Sequence, residues 1–202
     1  MAGDVFVHPN ALNESESIGR GTRIWAFAHI MRGAVVRTDC NIGDHSFIES
    51  GADVGNGVTI KNGVCIWEGV KIEDFVFIGP GVMFTNDRYP RSPRAPVAQE
   101  RYSKKENWLL PTLIREGASI GAKAVILAGV TIGRYATVAA GALVARNVPD
   151  FSLVAGNPAV AIGHVCMCGH PLPASLECIS CDRVYEKIDG QLRLRGEEGA
   201  AE

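Results

Sequence analysis

Every sixth residue from Phe6 to Phe84 is large and apolar: Phe6, Leu12, Ile18, Ile24, Ile30, Val36, Ile42, Ile48, Val54, Ile60, Ile66, Ile72, Ile78 and Phe84. The beat returns in the same phase with Ile114, Ile120, Ile126, Ile132, Val138 and Val144. Four places on, a second column is small or β-branched, from Thr22 and Ala28 through Cys40 and Ser46 to Val82, and again from Ala118 to Val148. A helix repeats near 3.6 residues and a half-buried strand near 2, so a sustained period of about six is neither and marks a solenoid. Each hexapeptide supplies a short strand and a corner. Three of them close a triangular coil of eighteen residues with the large side chains inside. Stacked coils then pair as parallel strands ~4.8 Å apart. The expected fold class is therefore all-β, a parallel β-helix of hexapeptide repeats. Glycine follows the first column at Gly19, Gly43, Gly55, Gly79, Gly121 and Gly133, which reads as corners that need backbone freedom.

A solenoid buries its core coil by coil, so 202 residues suffice for one domain over 1–163 and an appendage over 164–202. A net charge of −2 leaves no basic footprint for nucleic acid or an acidic membrane surface. The first ten residues lack the basic flank and apolar core of a signal peptide, and no apolar run is long enough to span a bilayer. The expected location is cytoplasmic. There the six cysteines read as thiols or metal ligands rather than disulfides.

Residues 1–17 carry the beat loosely, with Asn10 and Glu16 in the small column, and read as an irregular capping coil. His29 falls on an outward position. It reads as a surface or subunit-interface histidine, with a general base as the sharper alternative that would need demonstrated neighbours. Because positions eighteen apart stack, Glu14, Arg32, Ser50, Glu68 and Asn86 are expected to form one outer ridge.

The break over 85–113 is too long for an ordinary connection and belongs with functional loops. It sets Arg88, Arg91, Arg94, Arg101, Lys104 and Lys105 against Asp87, Glu100 and Glu106, with Tyr89, Tyr102 and Trp108 interleaved. Such an arm suits an anionic ligand that carries a flat ring. Past Gly163 the character changes. Cys166 and Cys168 are followed by Cys178 and Cys181, a Cys-x-Cys and a Cys-x-x-Cys that match a structural tetrahedral zinc site. The tail has too few apolar residues to fold without such a staple. Cys40 and Cys65 fall on solenoid positions and read as packing residues.

Several motifs taken together resemble one family. They are Val7-His8-Pro9-Asn10-Ala11, Ile24-Trp25 with Ala28-His29-Ile30, Ile78-Gly79-Pro80, Phe84-Thr85-Asn86 with Pro90-Arg91-Ser92, Gly117 to Ala122, and Gly156-Asn157-Pro158-Ala159. Over roughly residues 5–164 they are similar to the bacterial nucleotide-sugar N-acetyltransferases that acylate a 3-amino group. The type acting on UDP-2-acetamido-3-amino-2,3-dideoxy-glucuronate looks nearest, with the dTDP-3-amino-3,6-dideoxyhexose type as its sister. The loop after Ser92 is longer than the family's, and the cysteine tail lies outside its pattern.

The resemblance implies left-handed winding, a homotrimer, and clefts between subunits where acetyl-CoA meets the nucleotide-linked amino sugar, in the service of surface polysaccharide synthesis. It places acetyl-CoA near Ala122, Ala140, Gly141, Asn157 and Pro158. Asn86 is assigned to the reacting centre, with His29 as the rival catalytic residue and Glu68, Arg32, Arg91 and Arg88 as acceptor contacts. Three other readings share the solenoid. An O-acetyltransferase would need a firm histidine base. A γ-type carbonic anhydrase would need clustered histidines, whereas His29 and His45 are out of step by two residues. A noncatalytic scaffold would need neither the basic arm nor the Gly-Asn-Pro-Ala turn.

Overall fold

A computed structural model of the protein describes residues 3–196. Three sheets of nine, seven and five strands, parallel except for the last pair of the first, form the faces of a triangular prism, and most strands are two residues long. In each two-residue strand from Arg23 onward the second residue points inward and the first outward, so Ile24, Ile42, Ile60 and Ile78 stack on the first face and Ile30, Ile48 and Ile66 on the second. Val36, Val54, Ile72, Ile114 and Ile132 do so on the third. These side chains are fully buried with the small column between them. Burying each one contributes about 1.5–3 kcal/mol.

Below Ile18 the stacking departs from the period. Phe6 pairs with Arg23 and Leu12 with His29, so Val7 and Asn13, one residue on, lie against Ile24 and Ile30. Phe6 and Leu12 are consequently 39% and 54% exposed rather than internal. The first coil is one residue short at its next corner, where Ser15 turns inward in place of Glu16. Ser15 is only 8% exposed and donates its hydroxyl to the Ala34 carbonyl at 2.7 Å. A hydroxyl satisfied in this way can be buried, whereas the Glu16 carboxylate could not be without a partner. The shift also takes Glu14 off the expected ridge.

The six glycines after the first column serve a purpose other than the one their spacing implies. None has a positive φ; the left-handed corner residues lie two places later, at Gly21, His45, Gly57, Gly81, Lys123 and Tyr135. What the six share is close approach. A Cβ on Gly121 would lie 2.4 Å from Ala140 N, and one on Gly133 2.4 Å from Asp150 N.

The solenoid resumes with the strand Thr112–Ile114, so the excursion comprises residues 85–111. It contains three short helical turns, Pro96–Ala98, Gln99–Tyr102 and Lys105–Asn107. At the other end Ser152–Gly156 and Ala159–His164 make an antiparallel hairpin on the first face. The tail then builds a second small core from Phe151, Cys166, Cys178, Tyr185 and Leu192. Its hairpin, Tyr185–Ile188 with Gln191–Leu194, is held to the solenoid by aromatic contacts. Tyr185 meets Phe151 edge-on at 5.4 Å, and Phe151 stacks on Tyr135 at 5.6 Å.

Candidate active site and metal centre

The outward row of the second face is Leu12, His29, Phe47, Cys65, Met83, Val125 and Leu143. It is apolar apart from His29, whereas the third face presents Asp53 and Lys71 in its row. The register shift of the first coil brings Glu14 to His29, with Oε2 and Nε2 3.0 Å apart. Phe47 meets the imidazole edge-on at 5.4 Å. His29 therefore has an orienting carboxylate that the eighteen-residue spacing hid. Cys65 belongs to this outward row, while Cys40 is internal and donates its thiol to the Gly55 carbonyl at 3.0 Å.

The corner after the second face carries Arg32, Ser50, Glu68 and Asn86 in successive coils. Arg32 is exposed, with no carboxylate partner among the described residues. Glu68 forms an ion pair with Lys105 of the arm. Its backbone N–H donates to Glu49 Oε2 at 2.7 Å. Asn86 sits at the root of the arm. Its carbonyl accepts the Leu110 N–H at 2.9 Å and its Nδ2 donates to the Glu68 carbonyl at 3.3 Å. Thr85, the preceding residue, accepts the Ala128 N–H at 2.9 Å. His29 and the strand leading to Asn86 are third neighbours on one face, so ~14 Å separates them within a chain. One chain does not bring the two candidate catalytic residues together.

In the arm, Arg88 and Arg91 are exposed. Arg91 donates from its guanidinium to the neighbouring Pro90 carbonyl at 2.9 Å and pairs with no carboxylate among the described residues. Arg101 is different, being held by Asp87. Asp87 entered the sequence reading only as one acid offsetting the arginines. The signal available there was its spacing ahead of adjacent Arg101 and Tyr102.

Ala122, Ala140 and Gly141 occupy the corner between the first and second faces. Gly141 N–H donates to the Ala122 carbonyl at 2.8 Å, and the Asn157-Pro158 turn of the terminal hairpin ends the row. Ala140, Gly141, Asn157 and Pro158 are exposed and Ala122 is half-buried, so side chains this small leave the main chain of this corner at the surface.

The four tail sulfurs converge, all lying within 4.8 Å of one another. Cys166 and Cys181 are 3.4 Å apart, Cys168 and Cys178 3.6 Å, and Cys168 and Cys181 3.5 Å. Tetrahedral zinc with bonds near 2.3 Å sets its sulfurs about 3.8 Å apart, so these residues fit the ion with little movement. The Arg183 main-chain N–H, burial opposing it, and the Arg183 guanidinium at 3.1 Å draw the Cys181 thiol down to about 6, whereas Cys168, against the His170 main-chain N–H, is pushed up to about 12 by burial and the neighbouring sulfurs. Thiolates are the form zinc requires. Tyr185 donates its hydroxyl to Cys166 Sγ at 3.2 Å and accepts the Met167 N–H at 2.9 Å, which ties the cluster to the aromatic contacts with the solenoid.

The description of bacterial transferase hexapeptide repeats matches residues 39–74 and 111–146, the coils on either side of the arm. The dTDP-3-amino-3,6-dideoxy-alpha-D-galactopyranose 3-N-acetyltransferase of Aneurinibacillus thermoaerophilus is 48% identical over 187 residues, 92% of each chain. The chain belongs to the hexapeptide-repeat N-acetyltransferases. It is an acyltransferase on a parallel β-solenoid. The fold is shared with the acetyltransferase domain of PglB from Neisseria gonorrhoeae, solved with acetyl coenzyme A, at a TM-score of 0.51 and 23% identity over 80% of this chain. It is shared also with GDP-perosamine N-acetyl transferase from Caulobacter crescentus, solved with CoA and GDP-perosamine, at 0.50 and 21% over 81%. The chain spans 59% and 58% of those two structures.

Proposed function

We propose that the protein transfers the acetyl group of acetyl-CoA to the 3-amino group of a dTDP-linked 3-amino-3,6-dideoxyhexose, in the synthesis of a bacterial surface polysaccharide such as an O-antigen. The observation that carries this reading is the 48% identity, sustained over 92% of the chain, to an enzyme named for that acceptor. It moves the dTDP type ahead of the UDP-2-acetamido-3-amino-2,3-dideoxy-glucuronate type, which the motifs alone had placed first. Arg91, Arg88 and Arg32, free of carboxylates among the described residues, supply cations for the pyrophosphate, and Glu68 stands next to Asn86 at the root of the arm. The corner formed by Ala122, Ala140, Gly141, Asn157 and Pro158 is assigned to acetyl-CoA.

The chemistry asks little of the protein. The neutral sugar amine attacks the thioester carbonyl, the C–S bond breaks, and the proton leaves the new amide nitrogen for the departing CoA thiolate. A sugar amine beside electronegative substituents is less basic than lysine, so a usable fraction is neutral near pH 7 without a strong base. Alignment alone supplies ~7–11 kcal/mol of the barrier. Asn86 keeps one amide N–H beyond the bond to Glu68 and can direct it to the oxyanion.

The apolar row of the second face is read as the contact between copies in a homotrimer. The tail is read as holding one zinc through Cys166, Cys168, Cys178 and Cys181, in a structural role.

A thermal-shift screen with dTDP and UDP in the presence of CoA tests the acceptor class. A nucleotide at 100 times its dissociation constant should stabilise by ~2.7 kcal/mol, and dTDP is expected to do so at lower concentration than UDP. Stabilisation by neither would count against the reading.

A further inference from the structure

We propose that Asp87 is the positioning residue of the acceptor side, fixing the Arg91 main chain through Tyr102 and the reacting amide through the peptide it shares with Asn86. The proposal rests on the roles given above to Asn86 and Arg91. The Asp87 side chain is 9% exposed, though it lies in an excursion whose surroundings are open to solvent. Its Oδ1 accepts Arg101 Nη2 at 2.5 Å and the Tyr89 N–H at 2.9 Å. Its Oδ2 accepts the Tyr102 hydroxyl at 2.6 Å and Arg101 Nη1 at 3.1 Å. A carboxylate offers about four acceptor positions, and all are taken. Asp87 therefore has nothing left for a substrate and acts only through its partners.

Those partners define what it holds. The Tyr102 hydroxyl, having donated to Asp87, accepts the Arg91 N–H at 2.9 Å. Arg101 Nη1 reaches across to the Tyr89 carbonyl at 2.5 Å. The segment leaving the solenoid and the helical turn Gln99–Tyr102 are thus joined at Tyr89 and at Arg91, within a few residues of Asn86. The arm's charges divide accordingly. Arg101 is spent on Asp87, whereas Arg91 keeps its guanidinium for an anion. An arm closed in advance spares the acceptor the cost of ordering it. Burial pushes the Asp87 carboxyl up, but the bonds from Arg101 and Tyr102 outweigh it and hold the group below the usual carboxylate range. The network therefore stays ionised throughout the neutral range.

Two variants separate positioning from mere support. Asp87→Asn keeps the shape but turns an NH2 group towards donors. Tyr102→Phe removes only the link to Arg91 and leaves the Arg101 pair intact. With a dTDP-linked 3-amino sugar as acceptor, hydrogen bonds to a charged group predict a 10–100-fold rise in acceptor KM for Asp87→Asn. Tyr102→Phe, losing a single weaker link, should raise it about fivefold. The KM for acetyl-CoA and the melting temperature should stay unchanged in both, because the arm lies outside the solenoid core. Hydrogen exchange over residues 85–92 should accelerate at least tenfold in Asp87→Asn. An unchanged acceptor KM in both variants, or equal effects on both substrates, overturns the proposal. A wild type that acetylates no amino-sugar nucleotide sinks the proposed function instead. The exchange measurement needs no substrate and then decides for or against Asp87 by itself.

Discussion

Replacing Gly121 by alanine should cost more than replacing Gly141, although only Gly141 has the backbone conformation that disfavours a side chain. The Cβ at Gly121 would meet Ala140 N at 2.4 Å, with Ala139 C and Ala140 Cα at 2.8 Å. All three are main-chain atoms of the next coil, so no rotamer change can yield. That coil is pinned by the Gly121 N–H to Val138 carbonyl bond of 2.8 Å and by the pairing of Ile120 with Val138. Restoring an ordinary contact pushes the coils apart by about 1 Å against a ~4.8 Å spacing, enough to break that bond. The lost bond contributes about 1 kcal/mol and the overpacking about 1–3, giving about 2–4 kcal/mol in all. At Gly141 φ is +71° and a Cβ meets nothing within 4 Å, so alanine there pays only about 1–2 kcal/mol of left-handed strain. For a chain of this size each kcal/mol lowers the melting temperature by about 2–4 °C, so Gly121→Ala should melt about 4–16 °C lower and Gly141→Ala about 2–8 °C lower. Gly121→Ala should also raise the acetyl-CoA KM, since the strained corner carries Ala122 and Ala140. Calorimetry and steady-state kinetics on both variants check this. The reasoning fails if Gly121→Ala melts no lower than Gly141→Ala and leaves that KM unchanged.

Elemental analysis of freshly purified, chelator-free protein should find one zinc per chain; less than half an equivalent would count against the site, and Cys178→Ser should release the metal while the solenoid stays folded. Arg91→Ala should raise the KM for the nucleotide sugar and barely change that for acetyl-CoA, whereas an equal effect on both would refute its assignment. Asn86→Ala should lower turnover by roughly two to three orders of magnitude, the usual cost of one oxyanion donor, while His29→Ala should lower it about tenfold or less. If His29→Ala abolished activity, with rescue at high pH, while Asn86→Ala stayed active, the histidine would be the base.

The solenoid was legible because its code is one-dimensional: a large residue every sixth place fills the same internal position in every coil, and no distant contact has to be inferred. The code fails where a coil loses a residue. Asn13 and Leu12 exchange roles because Ser15 can be buried and Glu16 cannot, and with that exchange Glu14 reaches His29. The convergence of the four tail cysteines was legible for a similar reason, since two short spacings fix two pairs of sulfurs locally. What holds the tail to the solenoid was not, because Tyr135, Phe151 and Tyr185 meet only across the last corner. The glycines show how a correct pattern can carry the wrong cause. Their spacing marks corners, yet the crowding that demands glycine at Gly121 comes from Ala140, a full coil away. Within the arm, charge and aromatic content were visible, but the hub at Asp87 needs a helical turn to bring Arg101 and Tyr102 back to it.

The most direct test is to incubate the purified protein with acetyl-CoA and each acceptor in turn, and to follow the acceptor by mass spectrometry for the gain of one acetyl group. The acceptors are a dTDP-3-amino-3,6-dideoxyhexose, UDP-2-acetamido-3-amino-2,3-dideoxy-glucuronate, and the matching 3-hydroxy sugars. The expected result is acetylation at the 3-amino nitrogen, fastest on the dTDP-linked sugar and absent from the hydroxy sugars. Acetylation of the hydroxy sugars with both amino sugars untouched would contradict it.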